Sequence, residues 1–482
     1  MLLAGVPSIQ STQNTVQDDV ATATYLAAHR AHKETPSYEV QPHETLAQFL
    51  ASFVGATGMT GVTGLAGMTG APGTLVFNDP ATLTYDGTNT TLTDGITTAS
   101  ETGTTLYVDS SVLCLAGLTL TTGNLVVYGD LIIVGSFTVA TGTTLTVYGD
   151  LIADAVSGNS NSDSANISGA ITVTDNLNLS NYGNGVVTNS GGTLTAGNVI
   201  MNNNSGNGVF IGATITANTV TMNNNTGTAV GVQITAAISA DTVTMNNNMS
   251  GGGDVAAVYI AAVITAGTVT INNNIGNGND GSNGVYTTAV ITADTVTMNN
   301  NIGGVDAPGV YTTAVITART VTMNHNTGGA GSPGVYIAGV ITADTVTMNN
   351  NTGVFIAAVI TADTVTMNDN TGGAISISAS ITAGTITMNN NIGDGVSGVN
   401  FNFGVTITTN SITLGNNVNT AGPYGAYNQG TIQATIFTLI QDCSSSGQAL
   451  GNFGTILSKT GAANPIVVTI DNNSCSNNNP PT

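Results

Sequence analysis

Ile341-Thr342-Ala343-Asp344-Thr345-Val346-Thr347-Met348-Asn349-Asn350-Asn351 is the stretch whose reading decides the fold, and near-copies of it recur from about residue 194 to the end. The Met-like residue before each Asn run falls at Met201, Met222, Met245, Ile271, Met298, Met323, Met348, Met367, Met388 and Leu414. Successive steps are 21, 23, 26, 27, 25, 25, 19, 21 and 26 residues. Thr438-Leu439-Ile440-Gln441-Asp442 and Thr469-Ile470-Asp471-Asn472-Asn473 are two degenerate copies, which makes twelve coils. A period in this range marks units that cannot bury their apolar face alone and must stack. The shortest step leaves room for two or three short strands and tight corners, the size of one β-helix turn. The predicted fold is therefore an all-β, right-handed parallel β-helix.

The unit divides by role. Alternation along a strand sends Val346 and Met348 inward and Thr345 and Thr347 outward. Ile341, Val335 and Ile337 supply the other walls. Each Asn run reads as a corner, because Asn tolerates left-handed backbone and stacked amides hydrogen-bond along the axis. Nearly all variation in coil length falls between the Asn run and the next Val-Tyr or Val-Phe, at 275–283, 302–308 and 327–333. These loops are expected along one edge, where a solenoid meets its partners. Asn279, Asp280, Asp306 and Ser332 are the candidate partner-facing residues.

Composition excludes several functions. The chain has 482 residues, 6% of them charged, with four Lys plus Arg against 26 Asp plus Glu and a net charge of −22. So few cations argue against nucleic-acid binding and against an anionic membrane surface. No apolar run approaches the ~18–20 residues of a membrane span. Met1–Pro7 is too short for a signal h-region, and no signal peptide is recognised. An extracellular or particle-surface location is the expectation, whether virion, spore or cell appendage.

Residues 1–54 form a chemically distinct head. Asn14–Lys33 reads as a helix, and a second from Glu44 carries Leu46, Phe49, Leu50 and Phe53 on one stripe. This head is expected to anchor the chain to a larger assembly. Residues 55–73 are an unbroken Gly-x-y run, from Gly55-Ala56-Thr57 through Gly70-Ala71-Pro72 to Gly73. Only Gly fits the axis of three wound polyproline-like chains. With Thr in the third position, the run resembles the collagen-like surface proteins of bacterial spores, phage tail fibres and large DNA viruses. That resemblance implies a trimeric stalk and a homotrimer.

Residues 74–193 are expected to be the first solenoid coils and their cap: Val127-Tyr128-Gly129-Asp130-Leu131 returns as Val147-Tyr148-Gly149-Asp150-Leu151. Residues 155–170 read as an exposed loop. Residues 194–475 are the repeat solenoid, and 476–482 a frayed tail. Met367-Asn368-Asp369-Asn370-Thr371-Gly372-Gly373-Ala374-Ile375 resembles the β-helix repeats of polymorphic outer-membrane adhesins, with Met in place of their aromatic residue.

Thr-x-Thr pairs recur at Thr219 and Thr221, Thr242 and Thr244, Thr268 and Thr270, Thr295 and Thr297, Thr320 and Thr322, Thr345 and Thr347, Thr364 and Thr366, and Thr385 and Thr387. They are expected to stack into a hydroxyl-and-methyl lattice. This resembles the ice-binding face of β-solenoid antifreeze proteins; a plain exposed strand or a subunit interface reads the same pattern. Asp241, Asp294, Asp344 and Asp363 share one corner column. They offer Ca²⁺ a weak site but read first as turn residues, and no cofactor is expected. Cys443 and Cys475 follow Leu439 and Ile470 by four and five residues, within reach of a disulfide if their coils stack.

The function these features support is a non-enzymatic adhesive or structural fibre acting on a host surface or glycan by multivalent contact. The alternatives are an ice-binding solenoid and a glycan-cleaving tailspike-type β-helix; the latter needs an acid cluster with His, Lys or Arg in a groove, and such groups are scarce here.

Overall fold

The structure, a computed structural model, describes residues 74–155, 162–253, 255–278, 281–373, 375–394, 397–440, 443–444, 448–459 and 467–471. The helical head, the collagen-like run and Cys475 lie outside these residues. Every described regular element is a strand.

The strands build a parallel β-solenoid. In the repeat, each coil is a short strand such as Val335–Ile337, a tight turn, and a longer strand such as Ile341–Thr347. Each strand pairs in parallel with its counterpart one coil on. Val335 faces Val354, and Val346 faces Val365. One column of in-register residues runs from Leu75 through Val112, Leu131, Leu151 and Leu177 to Val199, and on through Val346 and Phe437 to Val468. Inward residues at alternate positions fuse into one continuous apolar core: Ile341, Val346, Met348, Val354 and Ile356 are all buried. Thr345 and Thr347 point outward, half-exposed, as the alternation requires.

The first coils use the same frame with a wider corner. In them the long strand is split, as in Thr144–Val147 and Leu151–Asp154, with Tyr148-Gly149-Asp150 between. From Thr193–Ile200 onward the two halves fuse into one strand, kinked at a single residue. The Tyr-Gly-Asp corner and the later Asp344 corner are thus one feature at two lengths.

Three antiparallel strands, Ala81–Tyr85, Asn89–Thr93 and Thr98–Thr102, cap the N-terminal end. Asp94 ties this cap down by accepting backbone N–H groups of Asn78, Ile96 and Thr97 at 2.8, 3.0 and 2.6 Å. Partial desolvation pushes its carboxyl up, but the amides of Ile96, Thr97, Asn78 and Asp79 outweigh that and hold it below its ordinary value.

One expectation is corrected. The segment 155–170 is not simply an exposed loop. Ala165–Ile167 is a strand of the short-strand sheet, paired with Phe137–Val139 and Val186–Thr188, and Ala165 and Ile167 are fully buried. The Asn- and Ser-rich flanks mask a three-residue strand too short to show periodicity.

Candidate functional site: the Asn corner and the loop edge

Each Asn run turns one corner, and its three residues do different work. The middle residue takes left-handed backbone, with φ of 58° at Asn350 and 55–58° at its counterparts from Asn203 to Asn390. The column admits His325 and Asp369 at φ 56° and 58°, because left-handed backbone, not buried bonding, is demanded there.

The third residue is buried and forms a ladder. Asn351 Nδ2 donates to Asn370 Oδ1 in the next coil at 3.1 Å and to the Met323 carbonyl in the previous coil at 2.9 Å. Its Oδ1 accepts from the backbone N–H and the Nδ2 of Asn326, at 2.8 and 3.1 Å. The first residue forms a second ladder in the opposite sense: Asn349 Oδ1 accepts from the backbone N–H of Asn368 at 2.7 Å. A carboxamide serves the buried column because it offers donor and acceptor together without charge. The buried ladder begins at Tyr182, whose N–H donates to Asn204 Oδ1 at 3.0 Å while its hydroxyl is buried without a partner.

The Thr columns are in register across the repeat. In one column Thr219 faces Thr242, Thr242 faces Thr268, and Thr268 faces Thr295. That column continues from Thr295 to Thr320, Thr345, Thr364 and Thr385. In the other, Thr244 faces Thr221 and Thr270, and Thr297 faces Thr270 and Thr322. Thr347 follows Thr322, then Thr366, and Thr387 faces Thr366. The lattice is less open than an outward-pointing array suggests. Thr385 is exposed, whereas Thr244, Thr270, Thr297, Thr387 and the other members are half-buried, because each threonine is flanked by its copies one coil away.

Two outward columns on the other half of this strand were not singled out from sequence. Thr265, Thr292, Thr317, Thr342 and Thr361 are exposed, and Val263, Val290, Val315, Val340 and Val359 beside them are 39–45% exposed. The signal was the repeated Val-Ile-Thr, whose two outer residues must share a face when the middle one is buried.

Asp241, Asp294, Asp344 and Asp363 sit exposed at the kink of the long strand. Arg319 Nε lies 4.0 Å from Asp344 Oδ2 with both side chains largely in solvent, a weak pair. Among the described residues no three His, Cys, Asp or Glu come together as a metal site would require.

The variable loops follow each Asn corner directly. Eight residues, 327–334, join Asn326 to Val335, whereas two, Thr352 and Gly353, join Asn351 to Val354. Four, 371–374, serve the following coil and seven, 392–398, the one after. Short loops between longer ones leave a notch of about 460 Å³. Its walls are the 327–334 loop, including Ser332, and Asp394 of the 392–398 loop; Gly353, Gly372 and Gly373 line it between them. Hydrogen bonds fix both walls. Gly328 N–H donates to Thr352 Oγ1 at 2.8 Å, and Asp394 N–H to the Gly372 carbonyl at 3.1 Å. Of the expected partner-facing residues, Ser332 lines the notch, Asp306 is exposed in the 302–309 loop at φ 56°, and Asn279 and Asp280 lie outside the described residues.

An aromatic ladder runs beside this edge. The central residues of five successive short strands are Tyr259, Tyr286, Tyr311, Tyr336 and Phe355, in register and half-buried. Neighbouring ring centroids lie 5.4, 5.0, 4.9 and 4.8 Å apart. Partial burial, then Tyr311 and Tyr259, push the Tyr286 phenol above its ordinary value. The recurring Val-Tyr and Val-Phe were visible in sequence as strand markers; their stacking required the register.

Comparison with known protein families, curated proteins and solved structures finds no match for this chain. Its class, a parallel β-solenoid with an Asn corner, therefore rests on the geometry alone.

Proposed function

We propose that the chain is a non-enzymatic structural or adhesive fibre protein, homotrimeric, exposed on a particle or cell surface and held to it through residues 1–54. One observation carries this reading: a long, register-locked stack whose repeat coils vary in length mainly along one edge. A solenoid of this kind is a stiff spacer, and repeated edges presented by three chains multiply weak contacts. The exposed Val and Thr columns favour lateral contact between copies, since five successive coils present β-branched side chains to solvent. The net charge of −22 opposes uncontrolled aggregation. Among the described residues no helix is long and apolar enough to cross a membrane.

Sedimentation of the full chain should give about three times the 48.1 kDa monomer mass. Antibodies to the 327–334 loop should label intact particles or cells. A monomer that labels no surface would defeat the reading. The proposal extends to a Cys443–Cys475 bridge stapling the last coils. Val418 of the preceding coil pairs with Cys443, and Leu439 with Ile470, so the stack reaches Cys443 and continues to Asp471. Intact-mass measurement after alkylation should show no modifiable Cys443 or Cys475 without reductant; two such thiols would exclude the bridge.

The in-register Thr lattice supports a second reading, ice binding. Purified protein would then show thermal hysteresis that Thr345→Tyr abolishes, and freezing with no hysteresis would dismiss it.

A further inference from the structure

The notch at the loop edge has features that the proposed fibre role does not by itself require. It lies where the aromatic ladder ends. Tyr336 covers one side of Phe355, with centroids 4.8 Å apart and planes at 29°. On the other side the next coil presents Ser376, in register with Phe355 and too small to cover the ring. Every inner ring of the ladder has a ring on both sides, so Phe355 alone at this end offers a free aromatic face. That face borders the notch, which both Phe355 and Ser376 line.

We infer that this notch binds an uncharged saccharide, one pyranose ring stacking on Phe355. A sugar ring carries an apolar C–H face and a polar rim, and the notch supplies a counterpart to each. Phe355, with Tyr336 behind it, is the apolar platform. Hydroxyls of Ser332, Ser376 and Thr352, and the Asp394 carboxylate, are the hydrogen-bonding groups around it. The volume of about 460 Å³ lies within the ~300–1,000 Å³ typical of small-ligand sites. Charge selects the class: the lining holds one carboxylate and no Lys, Arg or His, so a uronate, sialylated or sulfated sugar would meet repulsion without compensation. The length pattern locates the site. The chain narrows to two loop residues at 352–353, and no other coil between Asn204 and Ala426 has so short a connection.

This inference deepens the fibre reading by naming a ligand class for the loop edge, and it can fail while that reading stands. The test uses the full chain, titrated with chitotetraose, cellotetraose and maltotetraose, and with tetragalacturonate as the charged control. At least one neutral tetrasaccharide should bind with sub-millimolar to millimolar affinity and tetragalacturonate should not. Phe355→Ala should weaken binding at least tenfold. Gly373→Leu supplies an independent variant: a Cβ at Gly373 meets nothing within 4 Å, so the side chain enters open space and should block the notch without disturbing the fold. Loss of binding in Gly373→Leu with unchanged melting supports the assignment. Absence of binding by all three neutral sugars, preference for tetragalacturonate, or binding unaffected by Gly373→Leu would each overturn it. Trimeric mass and surface labelling would be untouched by that failure.

Discussion

Two neighbouring stretches of each coil, the Asn corner and the loop that follows it, obey opposite rules. At the Asn corner the spacing from Met to the third Asn never changes from Met201 to Asn417, with Ile271 and Leu414 as the only replacements at the first place and Gly415 at the second. At the loop edge the connection runs from two residues, at 352–353, to ten, at 275–284. The difference follows from where polar groups are buried. Asn351 is fully buried and bonded in four directions, so any change leaves donors or acceptors stranded. The loops carry exposed residues, Ile302, Val305 and Asp306 among them, and lengthening a loop costs little, about 0.6 kcal/mol per doubling. Constancy therefore marks the frame, and variability marks the surface free to acquire a role.

Breaking the frame should have the largest effect. One residue inserted between Thr345 and Val346 would turn Val346 and Met348 to solvent and Thr347 into the core. Each exposed core side chain costs about 1.5–3 kcal/mol. Loss of the cooperative transition, followed by denaturant unfolding, is expected. Next comes Asn351→Ala, which strands the Met323 carbonyl and the Asn326 amide. About 3 kcal/mol of destabilisation is expected there. Asn350→Ala, which leaves both ladders untouched, should cost only about 1–2 kcal/mol for its left-handed backbone, and Asn350→Gly close to nothing. Equal losses at Asn350 and Asn351 would erase the distinction between conformation and buried bonding.

The loop edge should be forgiving. Replacing 327–334 by the Thr-Gly of 352–353 should shift Tm by no more than about 3 °C, because register at the corner is set elsewhere. A smaller effect is expected at Asp154. Burial pushes its carboxyl up, against a lowering hydrogen bond from Asn181 Nδ2 at 2.8 Å. A raised folded value favours the protonated form: the stability it contributes is present below the ordinary carboxylate value and lost as pH rises through the raised one. Asp154→Asn keeps the acceptor and should stabilise at pH 7, with the advantage vanishing near pH 3. Thermal melts of both proteins across that range check it.

The frame was legible in sequence because period, alternation and Asn chemistry act together. Val346 and Met348 inward, Thr345 and Thr347 outward and the Asn corner all follow from one eleven-residue unit. The notch was half legible: unequal spacing located the variable edge, and Ser332 was picked from it. Phe355 and Gly373 were not, because a recess is made by a neighbour's longer loop and an exposed ring face by a neighbour's small side chain. Such juxtapositions depend on which residues stack, and register between coils is not written within any single coil. The strand Ala165–Ile167 was hidden for a related reason, since its partners supply the evidence that it is a strand.

Hydrogen exchange on the unmodified full chain tests the division between frame and edge most directly. Backbone amides of Asn326, Asn351 and Asn370, each donating to a buried Asn Oδ1 at 2.8–3.1 Å, should exchange orders of magnitude more slowly than those of Ala330 and Gly331 at the loop tip. Comparable exchange at the corner and in the loop would contradict the claim that the Asn ladder is the fixed frame on which the loop edge is carried.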